Sequence, residues 1–221
     1  MIVERFINSI FSSNTYILNL EEENGLWVVD PGDVKPIKEY IKIHNKFLKG
    51  ILITHSHFDH IYGVNELIED FHTTQIFASK NARDGMNSAK LNGSYYTENP
   101  FVVKSKNINI VEENDSILLF NGYTANVIYT PGHNNDCLSF KINQHLFTGD
   151  ALIPGIKVYT KSKFGDKLQA QKSIDRIIKE CNPKTFIYPG HGDICSIEDF
   201  IHSGLYDFES YKEKNTNFIN T

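Results

Sequence analysis

The run Thr54-His-Ser-His-Phe-Asp-His60 places three imidazoles and a carboxylate in six consecutive residues, directly after the apolar stretch Gly50-Ile-Leu-Ile53. Imidazole and carboxylate are the usual protein ligands of a borderline metal such as zinc. If the chain stays extended from Ile51 to His57, His55 and His57 point to one side about 7 Å apart, because strand side chains repeat with period two. Both can then reach one ion. Asp59 and His60 lie beyond a turn and can face a second ion beside the first. Three further residues of the same chemistry follow short apolar runs: His133 in Thr130-Pro-Gly-His133, Asp150 in Thr148-Gly-Asp150, and His191 in Pro189-Gly-His191. A histidine behind a strand and a Pro-Gly turn is aimed by stiff backbone, as a ligand must be. Gly149 permits a close backbone approach beside Asp150. A histidine cluster alone can be no more than a solvated polar loop, so the weight rests on the combination.

The pattern of apolar residues and turn formers predicts strands over 2–7, 15–20, 26–29, 51–54, 75–78, 109–111, 116–120, 123–129, 138–142, 145–147 and 185–188, with Asn121-Gly122 as a hairpin turn. Helices are predicted over 34–45, with Val34, Ile37, Tyr40 and Ile41 on one face, and again from Ile61, Val64, Leu67 and Ile68. A third helix, capped by Asp166, runs through Cys181 with Leu168, Ile174, Ile177, Ile178 and Cys181 mostly on one face, and Ser196 with Asp199 starts a short last one. Asp30 ends a strand in Asp30-Pro-Gly-Asp33; its spacing suits equally a turn former and an anchor for a metal-bound histidine. Residues 80–100 are polar, with Gly85, Gly93 and Tyr95-Tyr96, and read as a partly helical insertion, either a lid or a solvated connector. The polar tail from Lys212 is expected to fray. The second half repeats the plan of the first without repeating its residues, and no linker divides them, so one domain spanning 1–221 is expected. Two such halves would stack sheet on sheet with helices outside and the ligands along one edge.

With 221 residues, 40% of them hydrophobic, and 15 Phe and 11 Tyr, the chain can bury a sizeable core, so disorder is not the default. A net charge of −5 argues against a dedicated nucleic-acid binder. Arginine occurs only at Arg5, Arg83 and Arg176, few for a site that clamps phosphate. Cys137, Cys181 and Cys195 make an odd number and imply no disulfide framework; Cys137 reads as a small buried residue rather than a nucleophile. No secretory signal and no apolar run of membrane-spanning length is evident, so a cytoplasmic protein that does not engage a membrane is expected. The expected partner is a small-molecule substrate; a homodimer stays open.

The run His55-x-His57-x-Asp59-His60, followed by His133, Asp150 and His191 and preceded by Asp30-Pro-Gly, resembles the metallo-β-lactamase-fold hydrolase superfamily over nearly the whole chain. The resemblance implies an α/β (α+β) fold, a four-layer αββα sandwich with metals at the edge between the sheets. It implies one ion held by His55, His57 and His133, a second by Asp59, His60 and His191, and Asp150 bridging both. It also implies two Zn2+ per chain, with Fe or Mn as alternatives, and a zinc-bound hydroxide that attacks the substrate, with Asp59 as the catalytic residue that orients it. Asp150 matters further. True metallo-β-lactamases generally carry Cys or Ser there, so this chain looks more like the hydroxyacylglutathione-hydrolase, lactonase and phosphodiesterase branches.

Two departures stand out. Many relatives follow the Pro-Gly-His turn with Thr, Gly and Ser, whereas this chain has Asn134-Asn-Asp-Cys137, which alters the loop beside His133. Only 192–221 follow the last ligand, without the larger helical C-terminal region with which hydroxyacylglutathione hydrolase grips glutathione. Lys157, Tyr159, Lys161 and Lys163 follow Asp150 in a loop that should border the metals. They bind an anionic substrate or form a solvated basic loop. The expected activity is a dinuclear zinc hydrolase of a small ester, thioester or lactone. Its rivals are a phosphodiesterase on the same fold, an iron-dependent persulfide dioxygenase-like oxidoreductase, and a metal-binding protein without turnover.

Overall fold

The computed structural model describes residues 1–105 and 107–203. The polar tail expected to fray lies outside these. Two six-stranded sheets form the centre of the molecule. The first runs, in spatial order, β1 (Ile2–Ile7), β2 (Asn14–Asn19), β3 (Gly25–Val29), β4 (Phe47–Leu52), β5 (Gln75–Ala78) and β6 (Ile108–Ile110). The second runs β7 (Ser116–Phe120), β8 (Tyr123–Tyr129), β9 (Leu138–Ile142), β10 (His145–Gly149), β11 (Phe186–Pro189) and β12 (Cys195–Ser196). Each begins as an antiparallel meander and then crosses over through a helix to a parallel strand. Helix α1 (Val34–Ile43) makes the crossover from β3 to β4, and α4 (Lys167–Glu180) makes it from β10 to β11. Helices α2 (Val64–Asp70) and α3 (Lys80–Met86) lie in the first half, and α5 (Ile197–His202) in the second.

Alternation along the strands builds the layers. On β2 and β3, Ile17, Leu26 and Val28 face outward into a cluster with Val34, Ile37, Val64 and Leu67 of the first two helices. Their neighbours Tyr16, Leu18, Trp27 and Val29 face inward and meet Leu119, Phe140 and Phe147 of the second sheet. On the far side, Leu146 and Ile187 pack against Ile177, Ile178 and Phe200 of α4 and α5. The order helix, sheet, sheet, helix is the expected αββα sandwich, set by period-two burial on both faces of each sheet. Among the described residues no helix is long and apolar enough to cross a membrane.

Several expectations need adjustment. Strand β4 ends at Leu52, although Ile53 N–H still donates to Phe77 O at 2.9 Å, so His55 and His57 stand beyond the ladder on irregular chain. Leu168 is 65% exposed and does not join the buried face of α4, which Ala170, Ser173, Ile177 and Ile178 form instead. Residues 80–100 carry α3 and a 3-10 turn at Ser94–Tyr96, as a partly helical insertion should.

Trp27 ties the two sheets together. Its indole N–H donates to Leu119 O across the interface at 3.1 Å, and its ring lies over Gly50, where any Cβ would penetrate it. A register shift between Leu26 and Trp27 brings Gly50 opposite the indole. Glycine is required here by space. The variant Gly50→Ala is therefore expected to lose about 1–3 kcal/mol of stability, as overpacked cores do. Chemical denaturation reads this directly, and unchanged stability would mean that the indole does not rest on β4.

Candidate metal centre

The structure brings the seven sequence-nominated side chains to one edge of the sandwich. They come from the ends of β4, β8, β10 and β11 and from the 3-10 turn Phe58–His60 that follows the His55-Ser-His57 stretch. The donor atoms of His55, His57 and His133 lie within 4.8 Å of one another, and so do those of Asp59, His60 and His191. Asp150 stands between the trios: its Oδ2 is 3.6 Å from His133 Nε2 and 3.6 Å from His191 Nε2, and its Oδ1 is 3.5 Å from His60 Nε2. Gly149, at φ +49°, admits this approach, since a side chain there would strike Thr54.

Hydrogen bonds on the outer side of the rings decide how they face the centre. His133 Nδ1 meets Tyr159 O at 2.8 Å, and His191 Nδ1 meets Phe11 O at 3.1 Å. A carbonyl only accepts, so each Nδ1 carries the proton and each Nε2 turns a lone pair inward. His60 Nδ1 donates to Asp30 Oδ2 at 3.2 Å, which turns its Nε2 inward as well. Thr54 donates its hydroxyl proton to Asp30 Oδ2 at 2.5 Å, so its oxygen accepts from His55 Nδ1 at 3.1 Å. His55 Nε2 is then a buried lone pair, and it has no hydrogen-bond partner. Asp150 Oδ1 is likewise buried without one, the His60 nitrogen at 3.5 Å being too far. Elsewhere the facing atoms crowd. His133 Nε2 and His57 Nδ1 are 2.8 Å apart, and His60 Nε2 and His191 Nε2 are 3.3 Å apart.

Nitrogens this close need a proton between them, as in a hydrogen bond, or a cation. Burial holds the His55 imidazole well below its usual pKa and lowers His57 to about 4, with neighbouring imidazoles adding to the effect, so both are neutral donors. Burial alone would lower His60 too, but the carboxylates of Asp59, Asp150 and Asp30 outweigh it and raise this ring to about 10. Burial tends to raise Asp59, and His60 and His191 overcome that to bring it down to about 2. The centre thus combines the neutral rings of His55 and His57 with an ionised Asp59 and a protonated His60, whose proton a cation would displace. Orphaned His55 Nε2, converging Nε2 lone pairs and a carboxylate between two imidazole groups fit divalent ions of the zinc, iron or manganese kind.

Asp30 lies buried behind the histidine stretch. Besides His60 and Thr54 Oγ1 it accepts the Thr54 N–H at 2.8 Å, and so fixes the start of the histidine stretch. Asp136 does the same two residues further on: its buried Oδ2 accepts both Ser56 N–H at 3.0 Å and Ser56 Oγ–H at 2.5 Å, between His55 and His57. The altered loop after His133 therefore does reach the histidine stretch, through Asp136. A charged residue placed three positions after a ligand and just before a buried strand was the available signal. The carbonyls of Tyr159 and Phe11 carry no such signal, because any residue supplies one. Tyr159 serves through this carbonyl, while its side chain is exposed. Lys157 lines a cavity of about 360 Å³ with Leu152, Ile156, Ile174 and Phe200, and none of the seven donors borders it. Lys163 instead lines a cleft that opens on His57. Cys137 is buried, and burial raises its thiol well above the usual value, as suits a packing residue.

Comparisons with known proteins bear on the family and the fold. The model of the metallo-beta-lactamase superfamily matches residues 9–191. The chain is 34% identical over 146 residues to a hydroxyacylglutathione hydrolase of Pseudoalteromonas translucida (strain TAC 125), covering 65% of this chain and 48% of that protein. It is 30% identical over 184 residues to a hydroxyacylglutathione hydrolase of Hahella chejuensis (strain KCTC 2396), covering 81% and 62%. The chain thus spans about half to three-fifths of the length of these curated relatives. Among solved structures, the BLEG-1 B3 metallo-beta-lactamase superposes with a TM-score of 0.83 at 24% identity, over 91% of this chain and 97% of that one. TTHA1623 in a di-iron-bound form superposes with a TM-score of 0.78 at 21% identity, over 93% and 100%. These likenesses bear on the fold. With the matching model running from the first loop through His191, the chain belongs to the metallo-beta-lactamase superfamily.

Proposed function

We propose that this chain is a metal-dependent hydrolase that cleaves a small ester, thioester or lactone at a dinuclear zinc centre. The observation that carries the reading is the convergence of imidazole and carboxylate groups in two trios around Asp150. His55, His57 and His133 would hold one ion, Asp59, His60 and His191 the other, and Asp150 both. Zinc bound there would polarise a carbonyl oxygen and make a water acidic near neutral pH. The name hydroxyacylglutathione hydrolase, borne by relatives at 30–34% identity, supports a thioester or a related acyl substrate.

The chain's own residues supply orientation. Asp59, ionised at neutral pH, accepts a hydrogen bond from the attacking water and fixes its direction. Asp30 and Asp136 hold the histidine stretch from behind, so the donors do not reorganise as charge develops. A second reading is an iron-dependent oxidoreductase, because a centre of nitrogen and oxygen donors also accepts iron. Metal analysis of the purified protein together with a panel of thioesters, lactones and bis(aryl) phosphates separates these. Zinc near two ions per chain with acyl turnover supports the hydrolase; a coloured, iron-containing, oxygen-consuming sample supports the rival.

Asp150→Ala should lower metal content and reduce turnover by more than the roughly 10–100-fold typical of losing an outer partner. Unchanged metal and rate would remove the bridging role. Asp30→Ala should weaken zinc binding on the order of 10–100-fold in chelator competition, and wild-type affinity would return Asp30 to a simple turn former. Metal uptake should also release protons. His60, raised to about 10, binds a proton throughout the neutral range, and the ion must displace it. Apparent zinc affinity is therefore low at low pH and should climb about tenfold per unit between pH 7 and 9 for this one proton. Calorimetry in buffers of different ionisation enthalpy counts it, and affinity independent of pH would show that His60 is neutral before the metal arrives.

A further inference from the structure

The cleft of about 460 Å³ that opens on His57 has a graded lining. At its inner end stand His57 and Asn134, the latter only 4% exposed and adjacent to His133. The Asn134 Oδ1 accepts Asn135 N–H at 2.8 Å, which leaves the side-chain amide donors for the cleft. Its walls are Leu91, Gly93, Tyr96 and Phe164, contributed by the insertion after α3 and by the loop after Asp150. Tyr96 is 81% exposed and Phe164 37%, so both rings stand at the mouth.

Two lysines complete the mouth, one from each loop. Lys90 Nζ lies 5.2 Å from the Tyr95 ring and Lys163 Nζ 5.0 Å from the Phe164 ring, both within the range of cation–π contact. Neither lysine forms an ion pair among the described residues, and no carboxylate lines the cleft. In a chain of net charge −5, an opening with two unneutralised ammonium groups attracts anions locally. The absence of arginine from the lining favours a compact single charge over a bidentate phosphate clamp.

We propose that this cleft binds the substrate and selects an ester or thioester that carries a carboxylate on a short apolar stem. Lys90 and Lys163 pair the carboxylate, Leu91, Tyr96 and Phe164 cover the stem, and the scissile carbonyl lies at the inner end beside His57 and Asn134. The proposal rests on the hydrolase reading for the scissile bond, and on the cleft alone for the carboxylate. The insertion over 80–100 acquires a role by it, as one wall of the substrate site.

Two nearly isosteric thioesters test it, S-acetyl-3-mercaptopropionate and S-isopentyl thioacetate, with released thiol read by a colour reagent and the zinc-loaded protein as catalyst. The wild type should prefer the anionic thioester in kcat/KM by about tenfold at low salt, and the preference should shrink as ionic strength rises. Lys90→Met/Lys163→Met should bring the ratio near one, whereas Lys35→Met on the far helix α1 should leave it alone. A wild-type ratio near one, or a ratio that survives the double substitution, overturns the proposal. Calorimetry with the non-hydrolysable thioether 3-(acetonylthio)propionate separates this from failure of the hydrolase reading. Weaker binding by the double variant without turnover of either thioester keeps the anionic subsite and overturns the hydrolase. Equal binding by both proteins overturns the subsite.

Discussion

Imidazole nitrogens held about 3 Å apart need a proton or a cation between them, and the rest of this structure serves that arrangement. Four rings spend their Nδ1 protons outward, on Asp30, Thr54, Tyr159 O and Phe11 O, and this turns every Nε2 inward. A proton on His60 meets this need in part, and a divalent ion would take that proton's place. A buried acceptor such as the His55 Nε2 lone pair, with no hydrogen-bond partner, is costly in a folded protein unless a ligand meets it. The site is therefore a place where stability has been spent on a function, a common origin of locally unfavourable groups.

The two halves contribute in parallel. Asp30 follows β3 and Asp150 follows β10, the strands that lead into the crossover helices α1 and α4. The strands that receive those crossovers, β4 and β11, lead to His55 and His191. The halves have diverged in use, since Asp30 anchors a ring from behind while Asp150 faces the centre itself. They are laced together at the site. Asn14 N–H donates to Gly190 O at 2.7 Å, and Gly190 N–H to Gly149 O at 2.8 Å, so the turn carrying His191 is tied to both sheets. Beneath the site the Trp27 indole bridges the sheets and the aromatic layer of Tyr16, Phe147 and Tyr188 fills the space between them. Rigid packing of this kind keeps donor atoms within the few tenths of an ångström that metal coordination requires.

Much of this was legible in the chain itself. Period-two burial on β2 and β3 and three-to-four spacing on α1 follow from which residues are apolar, so the strands, the helices and the layer order could be read one after another. The seven donors were legible for a related reason. Each is a residue type with metal chemistry; His55, His133, Asp150 and His191 stand past an apolar run beside Thr or Gly, His57, Asp59 and His60 follow within five residues of His55, and such placement is a local property. Less was visible where a local pattern ran past its element. The ladder of β4 stops at Leu52, and Leu168 lies on the outside of α4, because neighbouring elements and not periodicity decide where pairing and burial end.

Sequence alone determined which side chains have the chemistry for a metal centre and which elements carry them, since composition and periodicity are properties of the chain taken locally. Tertiary structure alone decided which nitrogen of each ring faces inward, because that depends on carbonyls and carboxylates brought from remote segments: Phe11 for His191, Tyr159 for His133, Asp30 for His60. It also decided that Asp136 supports Ser56, and that Lys90 and Lys163, seventy-odd positions apart in the numbering, share one cleft with His57. A backbone carbonyl looks the same in every residue, and a lysine's partners are set by where its loop lands, so neither kind of information exists until the sheets have closed on each other.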